Sequence, residues 1–234
     1  MPRLDSAAIS WHFPPMSLDI KICGLKTPET LEAALAGRAS HVGFIFFAKS
    51  PRYVAPPEAG RLRAAAKGRA KAVAVTVDAD DAFLDEIVAA MSPDMLQLHG
   101  KETPQRVAAV KARYGLPVMK ALSVNDAADL DKAKPFFGIA DRFLFDAKPP
   151  AGSELPGGNG VAFDWAILAA LDPGIDYMLS GGLSAANVGD ALRLANPPGI
   201  DISSGVESAP GVKDAALIDA FFRAVGKARE SRAA

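Results

Sequence analysis

Leu18-Asp19-Ile20-Lys21-Ile22-Cys23-Gly24 alternates apolar and polar side chains and then stops at a glycine. Alternation of period two describes a β-strand, with Lys21 and Cys23 on one face and Ile20 and Ile22 on the other. If this is the first strand of a parallel barrel, Cys23 stands at the carboxyl end, the face from which barrel enzymes work. Cys23 is the only cysteine in the chain. A lone cysteine serves equally well as a small buried hydrophobe. Its role therefore depends on what the other segments build around it.

Seven more runs follow with the same character: His41 to Phe46, Ala70 to Val77, Asp94 to Leu98, Pro117 to Leu122, Asp141 to Asp146, Ile175 to Ser180 and Gly199 to Ser203. Each is rich in Val, Ile, Phe or Leu and bounded by Gly, Pro or Asp. Between them lie stretches with apolar residues at helical spacing, among them Pro28 to Ala36, Pro56 to Lys67, Ala82 to Met91, Thr103 to Tyr114, Ala185 to Leu194 and Lys213 to Val225. Thr27 before Pro28, Thr103 before Pro104 and Ser184 before Ala185 are expected N-caps, and proline is favoured at a first helical position. Eight βα units in about 217 residues, with right-handed crossovers, predict a single (β/α)8 barrel of parallel strands over residues 18–234. An open doubly wound sheet is the alternative.

Residues 1–17 stand apart as an N-terminal extension. Pro2, Pro14 and Pro15 punctuate them, they lack the pattern of a signal peptide, and Met16 lies just before the first strand. The expectation is a poorly ordered tail or a mis-set start, with Trp11 and Phe13 patched onto the surface.

The 26 basic and 27 acidic residues nearly cancel. No global field exists to hold nucleic acid or an anionic membrane. No apolar stretch approaches the roughly 20 residues that span a bilayer, and one cysteine forms no internal disulfide. A cytoplasmic, soluble protein is expected, either monomer or homodimer. His12 and His41 have no partner pattern, so no metal site is expected.

The ends of the strands collect polar groups: Cys23, Arg52, Gln97, His99, Asp146, Asp201 and Ser203. In a barrel these converge on one mouth. Ser180-Gly181-Gly182-Leu183 and Ser203-Ser204-Gly205-Val206 close the last two units. Glycines bring backbone N–H groups up to an anion, serine hydroxyls add donors, and the loops after strands seven and eight are where barrels bind phosphate. Ala147 to Ala162, after strand six, is the longest interruption and reads either as a lid or as a surface excursion.

Lys21-Ile22-Cys23-Gly24, Gly43-Phe44-Ile45-Phe46 with Ser50-Pro51-Arg52-Tyr53-Val54, Leu96-Gln97-Leu98-His99-Gly100, Gly157-Gly158-Asn159-Gly160 with Phe163-Asp164-Trp165, Ser180-Gly181-Gly182-Leu183 with Asn187-Val188, and Asp201 to Glu207 together resemble the phosphoribosylanthranilate isomerase family, in family order from about Leu18 to the end. The resemblance implies a (β/α)8 barrel performing a cofactor-free Amadori rearrangement in tryptophan biosynthesis, from N-(5-phosphoribosyl)anthranilate to 1-(2-carboxyphenylamino)-1-deoxyribulose 5-phosphate. It implies Cys23 as general base, Asp146 as general acid, Arg52 facing the anthranilate carboxylate and the two late loops holding the phosphate through Gly181, Gly182, Ser203, Ser204 and Gly205. Lys21, Gln97, His99 and Asp201 are further candidates for contact with the phosphosugar substrate. Asn159 stands where the family usually has Thr, Ser180 where Ala is common, and Pro149 to Pro156 is a long insertion. Another phosphosugar isomerase or epimerase, or a non-catalytic phosphate-binding barrel, are the alternatives.

The chemistry demands tuning, because at pH 7 an ordinary carboxyl is about 0.1% protonated and an ordinary thiol only a few per cent thiolate. Lys21, on the Cys23 face, is expected to favour the thiolate. Arg52 is expected to bind both oxygens of a carboxylate at once. His99 is an alternative base by its ordinary pKa, but a barrel-lining hydrogen-bond role is preferred.

Overall fold

The computed structural model describes residues 18–148, 153, 157–158, 160 and 162–233. The expectations for residues 1–17, and most of those for the loop after the sixth strand, lie outside the described residues. Eight parallel strands close into a barrel in sequence order: β1 (Asp19–Cys23), β2 (His41–Phe46), β3 (Lys71–Thr76), β4 (Met95–Leu98), β5 (Val118–Val124), β6 (Arg142–Ala147), β7 (Tyr177–Leu179) and β8 (Gly199–Ile202). β8 returns to pair with β1, Lys21 opposite Asp201, so the open-sheet alternative is excluded.

Capping explains where several helices begin. α1 (Pro28–Ala36) and α4 (Pro104–Tyr114) start on Thr27 and Thr103, whose hydroxyls accept from the N–H groups of Thr30 and Arg106. α2 (Pro56–Ala66) starts on proline without a side-chain cap, and α3 (Asp81–Met91) is capped by Asp80.

The second half departs from the regular pattern. The fifth and sixth crossovers carry 3-10 segments, Ala127–Phe136 and Trp165–Ala170, rather than α-helices. Pro135 within the first lacks the N–H that a continuing α-helix needs. Asp164 caps the second and Trp165 is buried beneath it.

Ser184 does not cap a helix. α5 (Val188–Ala195) begins later, after Asn187, whose amide instead accepts from Ser184 N–H at 2.8 Å and donates to Gly182 C=O at 2.9 Å. After β8 the chain makes a short antiparallel hairpin, β9 (Glu207–Ala209) and β10 (Val212–Lys213), before α6 (Ala215–Ala233).

Two apolar cores result. The larger lies between strands and helices and contains Phe44, Phe145 and Phe221. The smaller fills the barrel with Val73, Val75, Met95, Met119, Leu144 and Met178, and Cys23 lies on it. A buried layer of this kind makes the barrel floor a rigid platform for groups at its carboxyl end.

Candidate active site

A cleft with about 760 Å³ of empty space, part of it open to solvent, lies at the carboxyl end of the barrel. Cys23, Arg52, His99, Asp146 and Asp201 border it, as do Gly181, Gly182, Ser203 and Ser204. Five strand ends and two glycine loops, scattered through the sequence, thus converge on one space.

Small residues make room at the β1 end. A side chain at Gly43 would put its Cβ 3.0 Å from Cys23 Sγ and 3.1 Å from Lys21 Cε, so glycine on β2 leaves space for both. Gly24 has φ +82°, and a Cβ there would lie 2.8 Å from Arg52 Cδ. The glycine after the cysteine therefore ends the strand and lets the arginine cross it.

Lys21 does not border the cleft. It is fully buried below Cys23 and donates to Asp201 Oδ1 at 2.9 Å. Burial alone would lower its pKa, but Asp201 and Cys23 together raise it above the ordinary lysine value. Lys21 does favour the Cys23 thiolate, as expected, but burial pushes the thiol up by more and Asp201 adds to the rise, so the thiol stands above its ordinary value.

Gln97 is likewise buried and away from the cleft, with its side-chain amide 2.9 Å from His99 Nδ1. When Gln97 donates, His99 carries its proton on Nε2, which lies 3.5 Å from Asp146 Oδ2. The other Asp146 oxygen accepts the N–H of Ala147 at 3.0 Å. A Cβ at Gly157 would fall 2.4 Å from Asp146 Oδ2 and 2.8 Å from His99 Nε2. Gly157 thus passes closely over the carboxylate, as glycine alone allows.

Arg52 has its side-on edge occupied. Nε and Nη2 donate to the two oxygens of Glu207 at 2.8 and 2.9 Å, and Nη2 also donates to Gly158 C=O at 3.2 Å.

Gly181 and Gly182 both have left-handed backbone, φ +89° and +64°. Gly181 packs where a Cβ would meet Ala147 N at 2.6 Å, and Asn187 fastens Gly182 from below. Ser203 donates from its hydroxyl to Cys23 C=O at 3.1 Å, tying the β8 loop to the β1 end. Gly205 does not border the cleft: a Cβ there would lie 1.9 Å from Leu183 C=O, so its glycine serves close packing of the two late loops.

Asp78, outside the cleft, accepts from Lys101 N–H. Lys120 and Glu102 form a buried pair at 2.8 Å that also gathers the N–H of Asp78, the N–H and C=O of Gly100 and the C=O of Leu98. This pair braces the loop that carries His99. Sequence reading assigned no role to Glu102, Lys120, Asn187, Glu207 or Lys213. The fixed offset of Glu207 from the Ser203-Ser204-Gly205 loop was the one available signal.

Comparison with known proteins agrees with this geometry. The family model for N-(5'-phosphoribosyl)anthranilate (PRA) isomerase matches residues 20–224. The N-(5'-phosphoribosyl)anthranilate isomerase of Mesorhizobium japonicum is 80% identical over 219 residues, covering 94% of this chain and 100% of that protein. That of Brucella canis is 68% identical over 213 residues, 91% of this chain and 96% of the relative. Among solved structures, phosphoribosyl anthranilate isomerase from Thermotoga maritima superimposes with a TM-score of 0.81 at 29% identity, covering 90% of this chain and all of that one. An isomerase in complex with reduced 1-(o-carboxyphenylamino)-1-deoxyribulose 5-phosphate gives 0.78 at 27% identity, covering 90% of this chain and all of that one. The family match runs from β1 into α6, and the chain belongs to the phosphoribosylanthranilate isomerase family.

Proposed function

We propose that this isomerase of tryptophan biosynthesis rearranges N-(5-phosphoribosyl)anthranilate by general acid–base catalysis, with Asp146 as the acid and Cys23 as the base. The observation that carries the assignment is the shared cleft: both groups border one space together with Arg52 and the two late glycine loops.

In the ring-opening step Asp146 gives a proton to the furanose ring oxygen as the bond from that oxygen to C1 breaks, leaving a Schiff base between C1 and the anthranilate nitrogen. Cys23, in its thiolate form, then takes the proton from C2, and the electron pair moves to form an enolamine. Protonation at C1 and loss of the hydroxyl proton give the ketose. Protons are moved and atoms are conserved, so the step requires no cofactor. Acid and base come from β6 and β1, separate strands of the closed barrel, which allows them to act at different atoms of one ribose.

The phosphate is assigned to Gly181, Gly182, Ser203 and Ser204, where left-handed glycine backbone and hydroxyls supply the donors. The anthranilate carboxylate is assigned to Arg52, through its Nη1 end. Asp201 and Lys21 balance charge beneath the base, and Gln97 orients His99 beside the acid. The protein is assigned to the cytoplasm, as a monomer or homodimer. Among the described residues no helix is long and apolar enough to cross a membrane. Purified protein given freshly made N-(5-phosphoribosyl)anthranilate is expected to quench its anthranilate-type fluorescence as product forms. Folded protein that leaves the fluorescence unchanged would refute the assignment.

A further inference from the structure

The hairpin β9–β10 has no place in the regular βα repeat, yet its two charged side chains are among the most buried in the molecule. Glu207 is 4% exposed and Lys213 2%. Burying charges in this way is costly unless each is paired and hydrogen-bonded. Glu207 meets that condition completely. One carboxylate oxygen accepts from Arg52 Nε, the other from Arg52 Nη2 and from the N–H of Gly211 at 3.1 Å, and Lys213 Nζ binds the first.

The turn of the hairpin is fitted to the loop that carries Arg52. Gly211 has φ +78°, and a Cβ there would lie 2.5 Å from Pro51 C=O. Lys213 reaches further, donating to Ser203 Oγ at 3.2 Å, and Ser203 donates to Cys23 C=O. A continuous chain of contacts therefore joins the arginine, the hairpin, the β8 loop and the end of β1.

From this geometry we infer that Glu207, held by Lys213 and Gly211, is a positioning residue for Arg52 and fixes how the arginine meets a substrate carboxylate. The inference rests on the reading of Arg52 as the carboxylate-binding group. An arginine has five N–H groups. Glu207 takes one on Nε and one on Nη2, and Gly158 C=O takes the second on Nη2. Among the described residues none accepts from Nη1, which leaves its two N–H groups for the incoming anion. Two cations stand against one anion in the cluster, so it keeps one positive charge, which matches the single carboxylate of an anthranilate ring. With the guanidinium already locked, little of its side-chain entropy remains to be lost when substrate binds.

A four-point kinetic cycle of wild type, Glu207→Gln, Arg52→Ala and the double variant tests the inference. Glu207→Gln is expected to raise KM at least about tenfold with kcat changed less than about threefold, the pattern of lost uniform binding. In the Arg52→Ala background the same change is expected to cost less than about twofold, because the partner it positions is gone. Glu207→Asp, which keeps the charge, is expected to recover part of the KM. An equal loss in both backgrounds, beside a raised KM in Arg52→Ala, would overturn the positioning role while leaving the carboxylate reading intact. An unchanged KM in Arg52→Ala would overturn both. If Glu207→Gln does not fold, Glu207→Asp takes its place in the cycle under the same criterion of non-additivity.

Discussion

Lys21 Nζ lies 2.9 Å from Asp201 Oδ1 inside the barrel, two residues before Cys23 on the same face of β1. The pair sets the electrostatics of the candidate base. Burial raises the Cys23 thiol above its ordinary value of 9.0, Lys21 pulls it down and Asp201 pushes it up. A raised thiol holds its proton through neutral pH. Alkylation of Cys23 by iodoacetamide in the free protein is therefore expected to be slow at pH 7 and still accelerating above pH 9. Asp201→Asn removes the opposing charge and is expected to speed alkylation at pH 8 at least about threefold, in a protein whose folding is checked by circular dichroism. A rate that is unchanged or slower would show that Asp201 does not restrain the field of Lys21.

Substitution of the proton-transfer groups separates chemistry from binding. Cys23→Ala and Asp146→Asn are each expected to lower kcat at least about a hundredfold, the usual scale for a lost acid or base. KM is expected to move only a few-fold, since phosphate and carboxylate contacts lie elsewhere. Stopped-flow fluorescence on N-(5-phosphoribosyl)anthranilate provides both constants. A variant that turns over at more than a tenth of the wild-type rate would remove that residue from its assigned role.

The glycine that follows the base has its own signature. Gly24→Ala places a Cβ 2.8 Å from Arg52 Cδ at φ +82°, a conformation that costs about 1–2 kcal/mol for alanine. The variant is expected to melt several degrees lower and to show a raised KM, because the arginine must move aside. A lower melting temperature with unchanged KM would mean that Arg52 tolerates the displacement.

The barrel was legible in the sequence because each strand carries its own local evidence: an apolar run ended by Gly, Pro or Asp. Thr27 and Thr103 marked helix starts for the same reason, since a cap and its N–H partner lie three residues apart. Ser184 looked identical in sequence, but Asn187 competes for its backbone and fastens Gly182 instead. Such competition is settled by which loop needs bracing, and that is a tertiary fact. That Cys23, Asp146 and Arg52 border one cleft was readable from their places at or just after strand ends. The role of Glu207 was not, because its partner Arg52 lies 155 residues away, and Lys213 gains its role through Glu207. The net balance on Cys23 was hidden for a related reason: Lys21 is its neighbour on β1, but Asp201, which opposes Lys21, sits on β8, adjacent only after the barrel closes.

At the opposite end of the barrel His41 predicts how stability responds to acid. Its ring is 1% exposed, with Nδ1 2.8 Å from Ser40 Oγ and no partner for Nε2 among the described residues. Burial lowers its pKa from 6.5 to about 4, with Asp19 opposing the shift and Arg142, Lys71 and Lys21 reinforcing it. The folded state thus keeps His41 neutral while the unfolded chain takes up a proton below pH 6.5. Stability is unaffected by this group above pH 6.5 and falls as pH drops from 6.5 to about 4, by about 3 kcal/mol in all at 1.36 per pH unit. Asp19 acts in a lower window, because its pKa is already held below 3.8: burial, which would raise it, is outweighed by Arg142, His41 and Ser40 together. Urea unfolding at pH 7 and pH 4.5 is expected to show wild type losing roughly 2–3 kcal/mol more than His41→Gln between the two conditions. Equal losses in the two proteins would mean that His41 already accepts its proton in the folded barrel, with the Asp19–Arg142 pair, 2.7 Å apart, rearranging to receive it.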